Sequence, residues 1–327
     1  MSVLALLLFI AGLVLLVGGA EVLVRGSVRL AALVGMSSLV IGLTVVAYGT
    51  SLPELAVSVQ SGLAGRADVG LGNAVGSNIM NILLVLGLSA VVAAMPVSKR
   101  LYQFDLPAMA GSFVLVWVLS LDGALGMWDG VILVAGGLLY TGCRVSLGRR
   151  DDALAQELDE EYSETGGKPV RPVFFYVGMV LCGLVLIVVG ADWLVDGAVS
   201  MARALGLSEL VIGLTVVAVG TSLPELATSV VASVHGHRDL AVGNIVGSCF
   251  FNIAFVLGIA GWVVPGGLAV SSIALRVDIP VMILVGFICF PIFRSGWRIG
   301  RLEGGFFLLC YLVYVAYLVF GTSFASI

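Results

Sequence analysis

The strongest constraint on this chain is that it contains the same passage twice. Residues 37–59 read SSLVIGLTVVAYGTSLPELAVSV and residues 208–230 read SELVIGLTVVAVGTSLPELATSV, with 20 of 23 positions identical at an offset of 171. The same offset aligns GNAVGSNIMN (72–81) with GNIVGSCFFN (243–252), and Gly19-Ala20-Glu21 with Gly190-Ala191-Asp192. Such a duplication predicts two equivalent structural halves.

Neither half is suited to water. Hydrophobic residues make up 60% of the 327 and charged ones 11%, against about 45–50% and 25% in typical globular proteins. Mean hydropathy is +1.15. A soluble fold has too little interior to bury this much apolar surface, whereas a bilayer accommodates it. That excludes a soluble enzyme, a nucleic-acid binder and a disordered scaffold; the expectation is a transporter rather than an enzyme. The net charge of −4 says little, because the charges sit in a few short segments. The five cysteines (Cys143, Cys182, Cys249, Cys289, Cys310) lie in apolar stretches with no CxxC pair, and read as core residues. Residues 1–17 have no basic leader and no small-residue cleavage site, so they read as the start of a first spanning helix.

About 20 apolar residues span a ~30 Å hydrocarbon core. On that measure ten helices are predicted, near 2–24, 34–62, 68–94, 104–121, 127–147, 172–195, 205–234, 240–264, 276–293 and 302–322. The runs are continuous rather than alternating, which favours helices over barrel strands. Residues 148–171 carry seven acids and four bases and read as a solvated linker. The predicted organisation is a five-helix repeat over 1–147, the charged linker 148–171, and a second five-helix repeat over 172–327. Five is odd, so the second repeat enters the membrane from the opposite side. The expected fold is therefore an all-α integral membrane protein of ten transmembrane helices in two inverted repeats, with its binding site near the midplane.

Lys and Arg in alternate loops divide 13 to 3: Arg25, Arg29, Lys99, Arg100, Arg144, Arg149, Arg150, Lys168, Arg171, Arg238, Arg294, Arg298 and Arg301 against Arg66, Arg203 and Arg276. By the positive-inside rule the linker is cytoplasmic and both termini lie outside. The expected location is the cell membrane, as a multi-pass protein of a prokaryotic inner membrane.

Two acids break the apolar pattern. Glu54 and Glu225 sit at equivalent positions deep in the second and seventh predicted helices. A charge at the bilayer centre costs at least ~2.5–3.5 kcal/mol. No Lys or Arg is predicted at that depth, so a bound cation is the simplest counter-charge; two neutral carboxyls making structural hydrogen bonds are the alternative. Thr50, Ser51 and Glu54 lie at i, i+1 and i+4, and Ser77 and Asn81 at i and i+4 on the next helix. The second half repeats them as Thr221, Ser222 and Glu225, then Ser248 and Asn252. Oxygen-only ligands suit hard cations such as Na⁺ and Ca²⁺ rather than zinc or copper. Pro53 and Pro224 precede the glutamates and predict kinked or unwound helices. Asn73 and Asn244 read as capping or interhelical hydrogen-bonding residues, with contact to the ion as the alternative, and His235 and His237 as surface residues of a cytoplasmic loop rather than a proton relay.

The doubled GTSLPE followed by GN-x-x-GS-x-x-x-N resembles the two alpha-repeats of the cation/calcium antiporter superfamily, and is most similar to the prokaryotic sodium/calcium exchangers. The resemblance covers both halves. It implies exchange of Ca²⁺ for Na⁺, with no cofactor, through side chains of Thr50, Ser51, Glu54, Ser77, Thr221, Ser222, Glu225 and Ser248 and the carbonyls of Ala47 and Ala218. Asn81 matches the family pattern. Asn252 departs from members with an aspartate there, and Cys249 stands where Asn78 stands in the first half. A Ca²⁺/H⁺ exchanger of the same fold is the alternative, because two desolvated carboxylates also bind protons. A channel would more often need an oligomeric pore, whereas one chain here supplies the whole duplicated site; nothing resembles an intramembrane protease motif. The expected partners are the transported ions and the lipid bilayer.

Overall fold

The computed structural model describes residues 3–148, 172–204 and 218–324. Residues 149–171 of the predicted linker and 205–217 of the predicted helix 205–234 lie outside these. Among the described residues, eight helices are long and apolar enough to cross a membrane, or nine if one bent pair counts as a single span.

The helices, in chain order, are α1 (Val3–Val34), α2 (Ser38–Thr50), α3 (Leu52–Leu63), α4 (Ala67–Val92), α5 (Leu101–Leu119) and α6 (Met127–Gly148). They continue with α7 (Val173–Ala204), the short α8 (Ala218–Gly220), α9 (Leu223–Val234), α10 (Arg238–Val263), α11 (Ala274–Arg294) and α12 (Arg301–Phe324). The bent pair is α2 with α3, at 42°.

Helices α1 and α7 run about two and a half turns beyond their predicted ends at 24 and 195. On α1, Glu21 and Arg25 form an i,i+4 ion pair that supports continued helix after the apolar run. On α7, Arg203 lies in the last turn, where a cation favours the negative end of the helix dipole. The two helices pack on each other with backbones nearly touching. A Cβ at Gly183 would lie 2.6 Å from Leu23 N, so only glycine permits this approach.

Burial grades from centre to rim. The apolar window of α10 is buried throughout, that of α4 largely, and that of α12 hardly at all. Exposed Leu309, Leu312 and Val313 on α12, and Leu4, Leu7 and Val14 on α1, face outward as a lipid-contacting surface. At the centre, α10 lies against α2. A Cβ at Gly247 would meet Leu43 O at 2.6 Å and Ala47 Cβ at 2.8 Å.

Two features are absent from the sequence reading. Antiparallel strand pairs join loops of the two halves: β1 (Met95–Pro96) pairs with β4 (Arg298–Ile299), and β2 (Ala124–Leu125) with β3 (Leu268–Ala269). Wide π-helical turns also interrupt the spans, at Gly42–Val46, Asn81–Leu86 and Asn252–Leu257 near the polar cluster, and at Leu101–Asp105 and Ala274–Asp278. Such turns insert an extra residue into a helix and often mark functional positions.

One sequence assignment is corrected. Arg144, counted with the loop bases, lies within α6 with its side chain wholly buried. Its Nε is 2.8 Å from Asp105 Oδ1 on α5, which also accepts from Tyr140 Oη at 2.8 Å. Tyr140 stacks on Phe104 and packs against Phe250 of α10. The five cysteines are unbridged; Cys249 and Cys289 are buried as expected, but Cys182 is exposed on α7.

Candidate ion-binding site

The chain breaks twice at the same motif. Ser51, between α2 and α3, has φ −91° and ψ 10°; Ser222, between α8 and α9, has φ −94° and ψ 8°. In each case the proline follows as the second residue of a new helix, where it has no intrahelical hydrogen bond to lose. The prolines therefore start new helices, and the 42° bend between α2 and α3 is the break expected beside Pro53. This corrects the placement of the glutamates. Glu54 and Glu225 are not in mid-helix but in the first turns of α3 and α9. A carboxylate there gains about 0.3–1 kcal/mol from the positive end of the helix dipole.

Both glutamates are wholly buried. Among the described residues, no lysine, arginine or histidine is ion-paired with either. Their hydrogen bonds cross between halves. Ser51 Oγ, from the first half, donates to Glu225 Oε1 at 2.7 Å, and Ser222 Oγ, from the second, reaches Glu54 Oε1 at 3.4 Å. Within each half, Ser77 Oγ lies 3.5 Å from Glu54 Oε1 and Ser248 Oγ 3.4 Å from Glu225 Oε1. Ser222 also donates to Ser77 at 3.2 Å.

The second carboxylate oxygen of each glutamate has no partner, and neither do Asn252 Oδ1 or either amide atom of Asn81. Buried polar atoms are normally satisfied. For the two carboxylates and the amide oxygens, an oxygen-seeking cation is a group that would satisfy them. The Ala47 carbonyl, which already takes the Ser51 N–H at 3.1 Å, lies 3.3 Å from Thr50 Oγ1 and 3.4 Å from Ser248 Oγ. Ala218 lies in α8. Thr50 is buried and Thr221 half-buried. Asn252 Nδ2 donates to Asn78 Oδ1 at 3.1 Å, and Asn78 Nδ2 in turn to Met282 Sδ at 3.5 Å.

Sequence reasoning passed over Ser58 and Ser229. Ser58 Oγ accepts from Asn73 Nδ2 at 3.1 Å, and Ser229 Oγ from Asn244 Nδ2 at 3.0 Å. The signal was present: both serines lie four residues beyond the glutamates, inside the duplicated passage. It went unused because a serine in an apolar helix commonly serves packing.

The profile of the family described as sodium/calcium exchanger protein matches residues 4–144 and 175–320. The chain is 38% identical over 322 residues to the inner membrane protein YrbG of Escherichia coli, covering 95% of this chain and 97% of that one. It is 31% identical over 350 residues to the sodium/calcium exchanger MaX1 of Methanosarcina acetivorans, covering 96% and 97%. Among solved structures, the sodium-calcium exchanger NCX_Mj, soaked with 2.5 mM Na⁺ and 0.1 mM Ca²⁺, superposes with a TM-score of 0.83 at 33% identity over 97% of this chain and 99% of that one. With eight or nine apolar spans among the described residues and matches along nearly its whole length, this chain is a multi-pass membrane protein that belongs to the sodium/calcium exchanger family of antiporters.

Proposed function

We propose that this chain exchanges Ca²⁺ for Na⁺ by alternating access, at one site built on Glu54 and Glu225 with oxygens from Ala47, Thr50, Ser51, Ser77, Asn81, Ala218, Thr221, Ser222, Ser248 and Asn252. The observation that carries the reading is the pair of wholly buried carboxylates with orphaned oxygens and no cationic partner. Charge explains the coupling. Empty, the site holds two uncompensated carboxylates, and desolvation costs several kcal/mol per ion even after relaxation. Each ~1.4 kcal/mol on a barrier slows a step tenfold, so the empty carrier reorients rarely. One Ca²⁺, or two or more Na⁺, cancels the charge and permits the movement. Both ions compete for the same oxygens, which makes the transport an exchange.

The strand pairs support ten spans in two inverted repeats. Paired strands lie on the same side of a membrane, so an even number of crossings separates them. Between β2 and β3 the chain passes α6, α7, the segment 205–234 and α10. With α6, α7 and α10 crossing once each, the count is even only if 205–234 also crosses. The β1–β4 pair gives the same answer, with α5 and α11 added. The second half then runs opposite to the first, and the bias of basic residues favours both termini outside and the linker in the cytoplasm.

The test is efflux from Ca²⁺-loaded proteoliposomes with the membrane potential clamped. External Na⁺ should drive rapid efflux, and buffer lacking Na⁺ and Ca²⁺ at alkaline pH should leave it slow. Equal efflux in both would overturn the exchange reading. Efflux driven by a pH gradient and indifferent to Na⁺ would identify the Ca²⁺/H⁺ alternative.

A further inference from the structure

A hydroxyl has one proton and two lone pairs. To ligate a cation it must turn a lone pair inward and send its proton elsewhere. Four of the six site hydroxyls send theirs to atoms that are proposed ligands themselves. Ser51 and Ser248 reach Glu225 Oε1, Ser77 reaches Glu54 Oε1, and Ser222 has Ser77 Oγ at 3.2 Å and Glu54 Oε1 at 3.4 Å, both on proposed ligands. The two threonines differ. Thr221 Oγ1 donates to Asn73 Oδ1 at 3.4 Å. Thr50 Oγ1 reaches Asn244 Oδ1 at 3.3 Å, as well as the carbonyls of Val46 at 3.1 Å and Ala47 at 3.3 Å. Neither asparagine is in the proposed ligand set, and both contacts join opposite halves of the chain.

The amide of Asn73 is oriented by elimination. Ser58 Oγ gives its proton to Gly70 O at 2.9 Å, so toward Asn73 it can only accept. The Glu54 carbonyl, 3.2 Å from Asn73 Nδ2, also only accepts. Both neighbours require the NH₂ on their side, which leaves Oδ1 facing Thr221. The same group that holds Asn73 is the backbone of a site glutamate. In the other half, Asn244 Nδ2 donates to Ser229. Thr50 has three acceptors in range, the Val46 carbonyl nearest at 3.1 Å; a proton sent to Asn244 leaves the Ala47 carbonyl with the Ser51 N–H and a second lone pair for the ion.

We propose that Asn73 and Asn244 are positioning residues, each taking the proton of the opposite half's threonine so that the threonine hydroxyl presents a lone pair to the cation. This rests on the Ca²⁺ site proposed above. It predicts a crossed dependence: Asn73 acts through Thr221 and Asn244 through Thr50, never through the threonine of the same half.

The experiment is calorimetric Ca²⁺ binding to the purified full chain in Na⁺-free detergent solution. Asn73→Ala and Asn244→Ala should each weaken binding about tenfold, the scale of one lost hydrogen-bonded ligand. In a Thr221→Val background Asn73→Ala should have no further effect, whereas Asn244→Ala should keep its full effect; in Thr50→Val the roles reverse. An asparagine that merely holds helices together would weaken binding equally in all backgrounds, and that result overturns the proposal. Should the alanine variants aggregate, Ser58→Ala loosens the Asn73 amide more gently. It should weaken binding about threefold in the parent and not at all in Thr221→Val; equal effects in both would overturn the proposal. A parent chain that binds no Ca²⁺ overturns the site itself, which separates that failure from failure of the asparagine role alone.

Discussion

At the scale of single residues, Glu54 and Glu225 are wholly buried acids with no ion-pair partner among the described residues. Glu54→Gln and Glu225→Gln keep shape and one oxygen but remove a unit charge. Against Ca²⁺ at ~2.4 Å, with an effective dielectric near 20, that charge is on the order of 10 kcal/mol before desolvation. Either variant should abolish Na⁺-driven Ca²⁺ transport and still elute as a folded protein; near-normal transport would remove that glutamate from the site. Asn252→Asp acts at the adjoining locus. A third carboxylate beside two others must hold a proton or recruit another cation. Ca²⁺ transport should then depend on pH in a range where the parent does not, and matching pH profiles would place position 252 outside the field of the ions. Arg144 is a different case, since its buried charge has a partner in Asp105. Arg144→Met leaves that buried carboxylate without its ion-pair partner and should cost about 3–5 kcal/mol. The readout is a lower thermal unfolding midpoint, largely restored in the Asp105→Asn, Arg144→Met double variant.

At the scale of elements, the site depends on how closely α2 and α10 approach. Gly247 precedes Ser248 and lies against the carbonyl of Leu43 and the methyl of Ala47. A side chain there cannot move into space, because backbone blocks it. Gly247→Val should separate the helices, cost about 1–3 kcal/mol in overpacking, and carry Ser248 away from Glu225. Ca²⁺ affinity and thermal stability should therefore fall together; an unchanged affinity would mean that the two helices do not set the site. The breaks at Ser51 and Ser222 serve the same geometry. Each ends one helix and begins another, and so delivers a glutamate to a helix N-terminus inside the protein.

At the scale of the whole molecule, the parity of the strand pairs and the uneven basic residues lead to one prediction. A single cysteine introduced as Glu160→Cys, in a background lacking the native five, should resist an impermeant thiol reagent in intact cells and react after the membrane is opened. Outside labelling in intact cells would reverse the proposed sidedness.

Much of this protein is legible in its sequence because a bilayer makes demands that composition answers directly. Span length, apolar runs and the rarity of buried acids need no tertiary information. A duplication of 20 in 23 residues also marks equivalent positions without a structure. That is why Glu54 and Glu225, with the hydroxyls around them, could be singled out. What lay beyond the sequence is everything decided by contact between distant segments. Ser51 bonds Glu225 rather than Glu54, and Thr221 bonds Asn73. Arg144 is held within a helix by Asp105, and two short strand pairs join loops far apart in the chain. Local patterning reports which groups dislike lipid; only packing decides which partner each one finds.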